Sequence, residues 1–177
     1  FTYVRQQQML GLGHAIRTGE PLIGNEPFAV ILADDLCDCK DKSVLAQMID
    51  TYNQHKCSVI AIEEVPNNQI NKYGIISGKL IDNSDNTYRV TNMVEKPEVS
   101  ESNLAIIGRY ILTPDIFQIL KRIKPDKDGE IQITDALLSQ AKKGNVVALK
   151  FKGRRFDCGS IEGFIDATNH FAMKLIN

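Results

Sequence analysis

The residues best suited to chemistry are carboxylates and a lysine standing at the ends of apolar runs. Asp34 and Asp35 follow directly on Phe28-Ala29-Val30-Ile31-Leu32-Ala33 in "PFAVILADDLCD". A hard divalent cation such as Mg2+ takes carboxylate oxygens, few protein ligands, and phosphate oxygens for its remaining positions. Asp34 is placed to supply such an oxygen, with Asp35 and Asp38 as turn residues, although a helix cap or a turn accounts for a lone Asp equally. In "VEKPE", Glu95 and Lys96 close a run that Pro97 stops. That pair reads either as a solvated strand end, or as a lysine for a phosphate beside a carboxylate that accepts from two hydroxyls at once. Asp157, beside a glycine turn in "FDCGS", is a further carboxylate at a strand end. "DGEIQITD" offers Glu130, Thr134 and Asp135, which helix capping would also explain.

Glycines and an amide complete the candidates. "GLGHAI" is not a dinucleotide fingerprint, because residue 16 is isoleucine and no strand precedes it. What remains is Gln6 and Gly11 flanking a turn. A primary amide can accept from a ring N–H while donating to the adjacent carbonyl, a pair that uracil presents. A glycine lets a base carbonyl approach the backbone closely. Gly74 in "KYGII" would do the same for a flat ligand, or mark a bulge.

The totals bound these readings. At 177 residues the chain is long enough for one domain with a buried core. Its 21 Lys and Arg against 22 Asp and Glu argue against a nucleic-acid polymer as partner, since backbone binding leaves a basic excess. No apolar run reaches the roughly 20 residues of a membrane span. The opening "FTYVRQQQMLGLG" lacks the features of a secretory signal and an initiator Met, so the chain is expected to begin inside a larger protein. Cys37, Cys39, Cys57 and Cys158 have no second ligand pair at zinc spacing, and are expected to be free thiols.

These residues need a scaffold. Residues 28–33 suit a central strand covered on both faces. "KSVLAQMIDTYNQHK" sets Val44, Leu45, Met48, Ile49 and Tyr52 on one helical face, and "CSVIAIEEV" is a second buried strand. That β–α–β succession predicts parallel pairing. "GLGHAIRTGEPL" predicts a short helix ended near Gly19 and kept from continuing by Pro21. Residues 73–97, broken by the polar turn "DNSDN", read as antiparallel meander. "NLAIIGRYILT" is another strand, "PDIFQILKRI" a helix with Pro in its first turn, and "ITDALLSQAKKG" a helix ended by lysines and glycine. "NVVALKFKG" and "RRFDCGS" read as a strand pair before a closing amphipathic helix. The fold class is α/β, a mixed sheet flanked by helices with an antiparallel extension.

The blocks "VRQ…GLGHA", "ILADD", "YGII", "VEKP", "SNLAIIGRY", "GEIQITDA" and "FDCG" stand in an order that closely resembles the UTP–glucose-1-phosphate uridylyltransferase family of sugar-nucleotide pyrophosphorylases. The resemblance covers essentially the whole chain. It implies a Rossmann-like nucleotidyltransferase domain over residues 1–177, with an antiparallel sugar-binding extension. It also implies conversion of UTP and α-D-glucose 1-phosphate to UDP-glucose and pyrophosphate with Mg2+, in a cytoplasmic homo-oligomer. By the same resemblance Gln6 and Gly11 read uracil, and Asp34 holds Mg2+ against the phosphates. Gly74, Glu95 and Ile106 meet glucose, Lys96 its phosphate, and Asp157 is the second metal-side carboxylate. The family's glycine-rich G-x-G-T-R-x-x-P-x-T-K segment is not in this sequence, so the chain resembles the C-terminal two-thirds of the family domain. Two alternatives are a thymidylyltransferase of the same fold and an inactive sugar-nucleotide-binding module.

Overall fold

In the computed structural model, which describes residues 1–82 and 84–176, the sheet is built around two strands that bury both faces. Strand β3 (Ser58–Glu64) sends Ile60 and Ile62 into one core, and Val59 and Ala61 into another. Strand β7 (Val146–Lys150) does likewise with Val146 and Ala148 against Val147 and Leu149. Such strands persist only where helices cover both sides. Helix α3 (Val44–His55) lays Val44 and Met48 on one face. Helices α1 (Gly11–Thr18), α4 (Ile116–Leu120) and α5 (Ile133–Ala141) cover the other with Ile16, Phe117, Leu120 and Leu137.

The six-stranded sheet runs β1 (Phe28–Ile31), β6 (Leu104–Leu112), β3, β7, β5 (Thr87–Glu95), β4 (Gly74–Leu80). A separate ribbon pairs β2 (Asp35–Asp38) with β8 (Arg154–Asp157), antiparallel. The α/β reading and the antiparallel β4–β5 hairpin are both present. The polar turn of that hairpin includes Asn83, which lies outside the described residues.

Several local expectations are corrected. Among the described residues strand β1 pairs with β6 alone: Ala29 and Ile31 are exposed, while Phe28 and Val30 pack inward. Apolar composition reports burial preference but cannot say how many neighbours a strand has. β1 and β3 do not pair; β6 lies between them, antiparallel to both, and the parallel partner of β3 is β7. The segments "NVVALKFKG" and "RRFDCGS" do not pair with each other, because β7 enters the main sheet and β8 joins β2. Asp35 and Asp38 therefore bound a strand rather than serving as turn residues. Pro21 does not block helix: it sits in the first turn of a second one, α2 (Glu20–Ile23), where its missing N–H costs nothing. Pro114 precedes α4 instead of lying inside it, and Ile49 of α3 is 45% exposed.

The closing helix α6 (Ile161–Ile176) buries only Ala167 fully and packs on β8 through Phe171 and His170 against Phe156. Among the described residues no helix is long and apolar enough to cross a membrane.

Candidate active site

Three carboxyl-terminal strand ends open into one cleft of about 370 Å3: those of β1, β5 and β8. This is where an open α/β sheet leaves a crevice, since each strand must leave the sheet by a loop. Asp34, Gly74, Glu95, Lys96, Ile106 and Asp157 all line it. Residues scattered over 124 positions of sequence thus share one wall.

The Glu95–Lys96 pair shows how the backbone manages this. Consecutive strand residues face opposite ways, yet both side chains line the cleft. Lys96 takes a left-handed conformation, φ 42°, which turns the chain as β5 ends, and its N–H donates to the Tyr73 carbonyl at 3.0 Å. A non-glycine residue held there carries strain of roughly 1–3 kcal/mol, a cost typical of functional positions. Lys96 is exposed and makes no ion pair among the described residues. Burial pushes the Glu95 carboxyl above its ordinary range, with the Thr134 hydroxyl and Lys96 tempering the rise.

Gly74 faces Glu95 across the β4–β5 register. A Cβ on Gly74 would stand 2.8 Å from Thr134 Cγ2 and 3.2 Å from both Glu95 Oε2 and Ile106 Cδ1, so the glycine holds open the space these three enclose. Thr134 is 4% exposed, and its hydroxyl faces the Glu95 carboxyl. Sequence reading offered helix capping for it, but it lies inside α5, whose N-cap Gln132 makes no side-chain cap bond.

On the opposite wall, Asp34 Oδ2 and Asp157 Oδ1 lie 3.3 and 3.2 Å from the point a Cβ on Gly159 would occupy, so the two carboxylates converge. The Cys158 N–H donates to the Asp34 carbonyl at 2.7 Å, tying the two turns together. Among the described residues no group of three or more His, Cys, Asp or Glu side chains could hold a metal. A pair of carboxylates is nonetheless a sufficient protein share for Mg2+ when phosphates complete the shell.

Gln6 and Gly11 stand together beyond the other end. The Gln6 amide nitrogen donates to the Gly11 carbonyl at 3.2 Å and lies 3.0 Å from His14 Nδ1. Neither residue lines the cleft, but Leu12 does, and Gly11 abuts Glu130 and Ile131 at its rim. The Gly13 N–H donates to Ile131 O at 2.9 Å and a Cβ there would lie only 2.6 Å from that oxygen, so "GLG" is the seam between α1 and the "GEIQITD" segment.

Three participants escaped the sequence reading. Asp35 is buried, accepts from the Gly108 N–H at 2.6 Å and pairs with Arg155. Arg155 also pairs with Glu63 at 2.6 Å and approaches Asp157 Oδ2 at 3.4 Å. Tyr73 donates its hydroxyl to Asp157 Oδ2 at 2.8 Å. The signal available for Arg155 was its spacing of two from Asp157, which puts both on one strand face. A larger hollow of about 1010 Å3 beside α3 contains none of the residues the sequence singled out for a site.

A model of the nucleotidyl transferase family matches residues 1–174. The chain belongs to the nucleotidyl transferase family. Among curated relatives of this nucleotidyl transferase chain, a UTP–glucose-1-phosphate uridylyltransferase of Pseudomonas aeruginosa is 62% identical over 172 residues, which is 96% of this chain and 61% of the relative. A solved UDP-glucose pyrophosphorylase complexed with UDP-glucose superposes with TM-score 0.94 at 59% identity, covering 98% of this chain and 66% of that one. A UTP-bound enzyme from Acinetobacter baumannii follows the same fold, with TM-score 0.85 at 35% identity, covering 97% of this chain and 59% of that one. The nucleotidyl transferase chain thus spans about three-fifths of the length of its curated relatives.

Proposed function

We propose that this chain forms the sugar- and metal-side part of an enzyme that joins UTP and α-D-glucose 1-phosphate into UDP-glucose with release of pyrophosphate. The observation that carries the reading is the single cleft lined by Asp34, Gly74, Glu95, Lys96, Ile106 and Asp157. The relatives' names and the bound UDP-glucose of a neighbour at TM-score 0.94 point the same way.

In this reading Glu95 accepts from two sugar hydroxyls, with the Thr134 hydroxyl beside it. Gly74 lets the sugar lie against the backbone, with Ile106 below. Lys96, unpaired and left-handed, aligns the sugar phosphate whose oxygen attacks the α-phosphorus in line. Displacement at phosphorus requires positioning and charge neutralisation rather than a nucleophilic side chain. Asp34 and Asp157 would hold Mg2+, which when bound neutralises phosphate charge. Reading uracil with Gln6 requires its amide nitrogen to turn from Gly11 and His14 toward the base, leaving its oxygen for the ring N–H. A cytoplasmic location and a homo-oligomeric state complete the proposal. The 177 residues alone, lacking the glycine-rich segment, are expected to bind without turnover.

The test is pyrophosphate release by a protein of the relatives' full length carrying this chain. Turnover with UTP, Mg2+ and glucose 1-phosphate is expected, with Asp34→Ala lowering it about 100-fold or more while the fold persists. Equal use of dTTP would favour the thymidylyl reading, and Mg2+-dependent turnover surviving Asp34→Ala would remove the metal assignment.

A further inference from the structure

The Asp157 carboxylate has two differently committed oxygens. Its Oδ2 receives the Tyr73 hydroxyl at 2.8 Å and the Arg155 guanidinium at 3.4 Å. Its Oδ1 is the oxygen that converges with Asp34 beside Gly159, whose N–H reaches it at 3.2 Å. Resting on the reading of Asp34 and Asp157 as cation ligands, we propose that Tyr73 and Arg155 form a clamp that fixes Oδ2 so that Oδ1 is presented to a divalent cation shared with Asp34.

The clamp is anchored from behind. Arg155, 7% exposed, is held by Asp35 and by Glu63, and Asp35 is held by the Gly108 amide. The guanidinium therefore connects the β2–β8 ribbon to strands β3 and β6, and its position follows the main sheet. The Tyr73 ring centroid lies 5.0 Å from the guanidinium carbon. A ligating carboxylate left free to rotate loses alignment; hydrogen bonding of its outer oxygen prevents this. Tyr73 and Arg155 are thus positioning residues.

A purely structural role would be to balance the buried Asp35, and Tyr73→Phe separates the two roles because it leaves the Arg155–Asp35–Glu63 pairs intact. The measurement is Mn2+ affinity by electron paramagnetic resonance in the full-length protein with saturating UDP-glucose, together with thermal midpoint. Tyr73→Phe is expected to weaken Mn2+ binding about 10-fold or more at an unchanged midpoint. Arg155→Lys, which keeps the charge and loses the fork, is expected to weaken it likewise while lowering the midpoint. Mn2+ binding within twofold of the unsubstituted protein in Tyr73→Phe overturns the clamp. Unaltered binding in Asp34→Ala instead overturns the underlying cation site, so the two failures are distinguishable.

Discussion

Glu95 and Lys96 are neighbours asked to do opposite electrostatic work. Burial raises the Glu95 carboxyl, so the folded state holds its proton to a higher pH than the unfolded chain, whose value lies near 4.5. The folded form binds more protons in that window, and stability falls as pH rises through it. Glu95→Gln is therefore expected to raise the thermal midpoint at pH 7 and leave it unchanged well below pH 4.5, as differential scanning fluorimetry across pH would reveal. The same substitution removes an ionised acceptor, and KM for glucose 1-phosphate should rise about 10- to 100-fold. In the unsubstituted enzyme that KM should climb as the medium is acidified through the raised carboxyl. For Lys96→Ala, steady-state kinetics should give a comparable loss for glucose 1-phosphate with KM for UTP nearly constant. An equal loss for both substrates would contradict its assigned place.

At the scale of elements, the β2–β8 ribbon depends on a glycine in β6. A Cβ on Gly108 would stand 2.5 Å from Asp35 Oδ2 and 2.7 Å from Leu32 Cβ, where no side chain fits. Gly108→Ala is expected to cost about 1–3 kcal/mol through overpacking. That should lower the thermal midpoint by about 2–4 °C per kcal/mol. Because Asp35 anchors Arg155, Mn2+ affinity should fall with it. These elements also separate what was legible from what was not. The buried run of β3, the antiparallel β4–β5 hairpin and the α3 face, Ile49 apart, followed from apolar patterning and the polar turn. The pairing of β8 with β2 did not, because strands of four residues carry no mark of their partner. Asp34, Glu95 and Lys96 were legible as charges closing apolar runs. Arg155 and Tyr73 were not, since a buried arginine reads in sequence like a surface one.

The whole molecule combines near-balanced charge with uneven coverage. Among the described residues strand β1 pairs with β6 alone and leaves Ile31 55% exposed, and an open apolar edge is a template for pairing between chains. Sedimentation of the 177-residue chain is expected to show concentration-dependent association that Ile31→Lys reduces. Association unchanged by that substitution would point away from this edge. By itself the sequence determined which segments seek burial, where apolar runs stop at carboxylates and a lysine, and the family whose motifs these are, because composition and order are properties of the chain. Only the tertiary structure decided that β6 separates β1 from β3 and that Asp35 is an anchor. It alone brought Asp34 and Asp157, 123 positions apart, to converge beside Gly159. Those outcomes turn on partners distant in sequence, and contact between distant segments is fixed by packing the whole sheet at once rather than by any local preference.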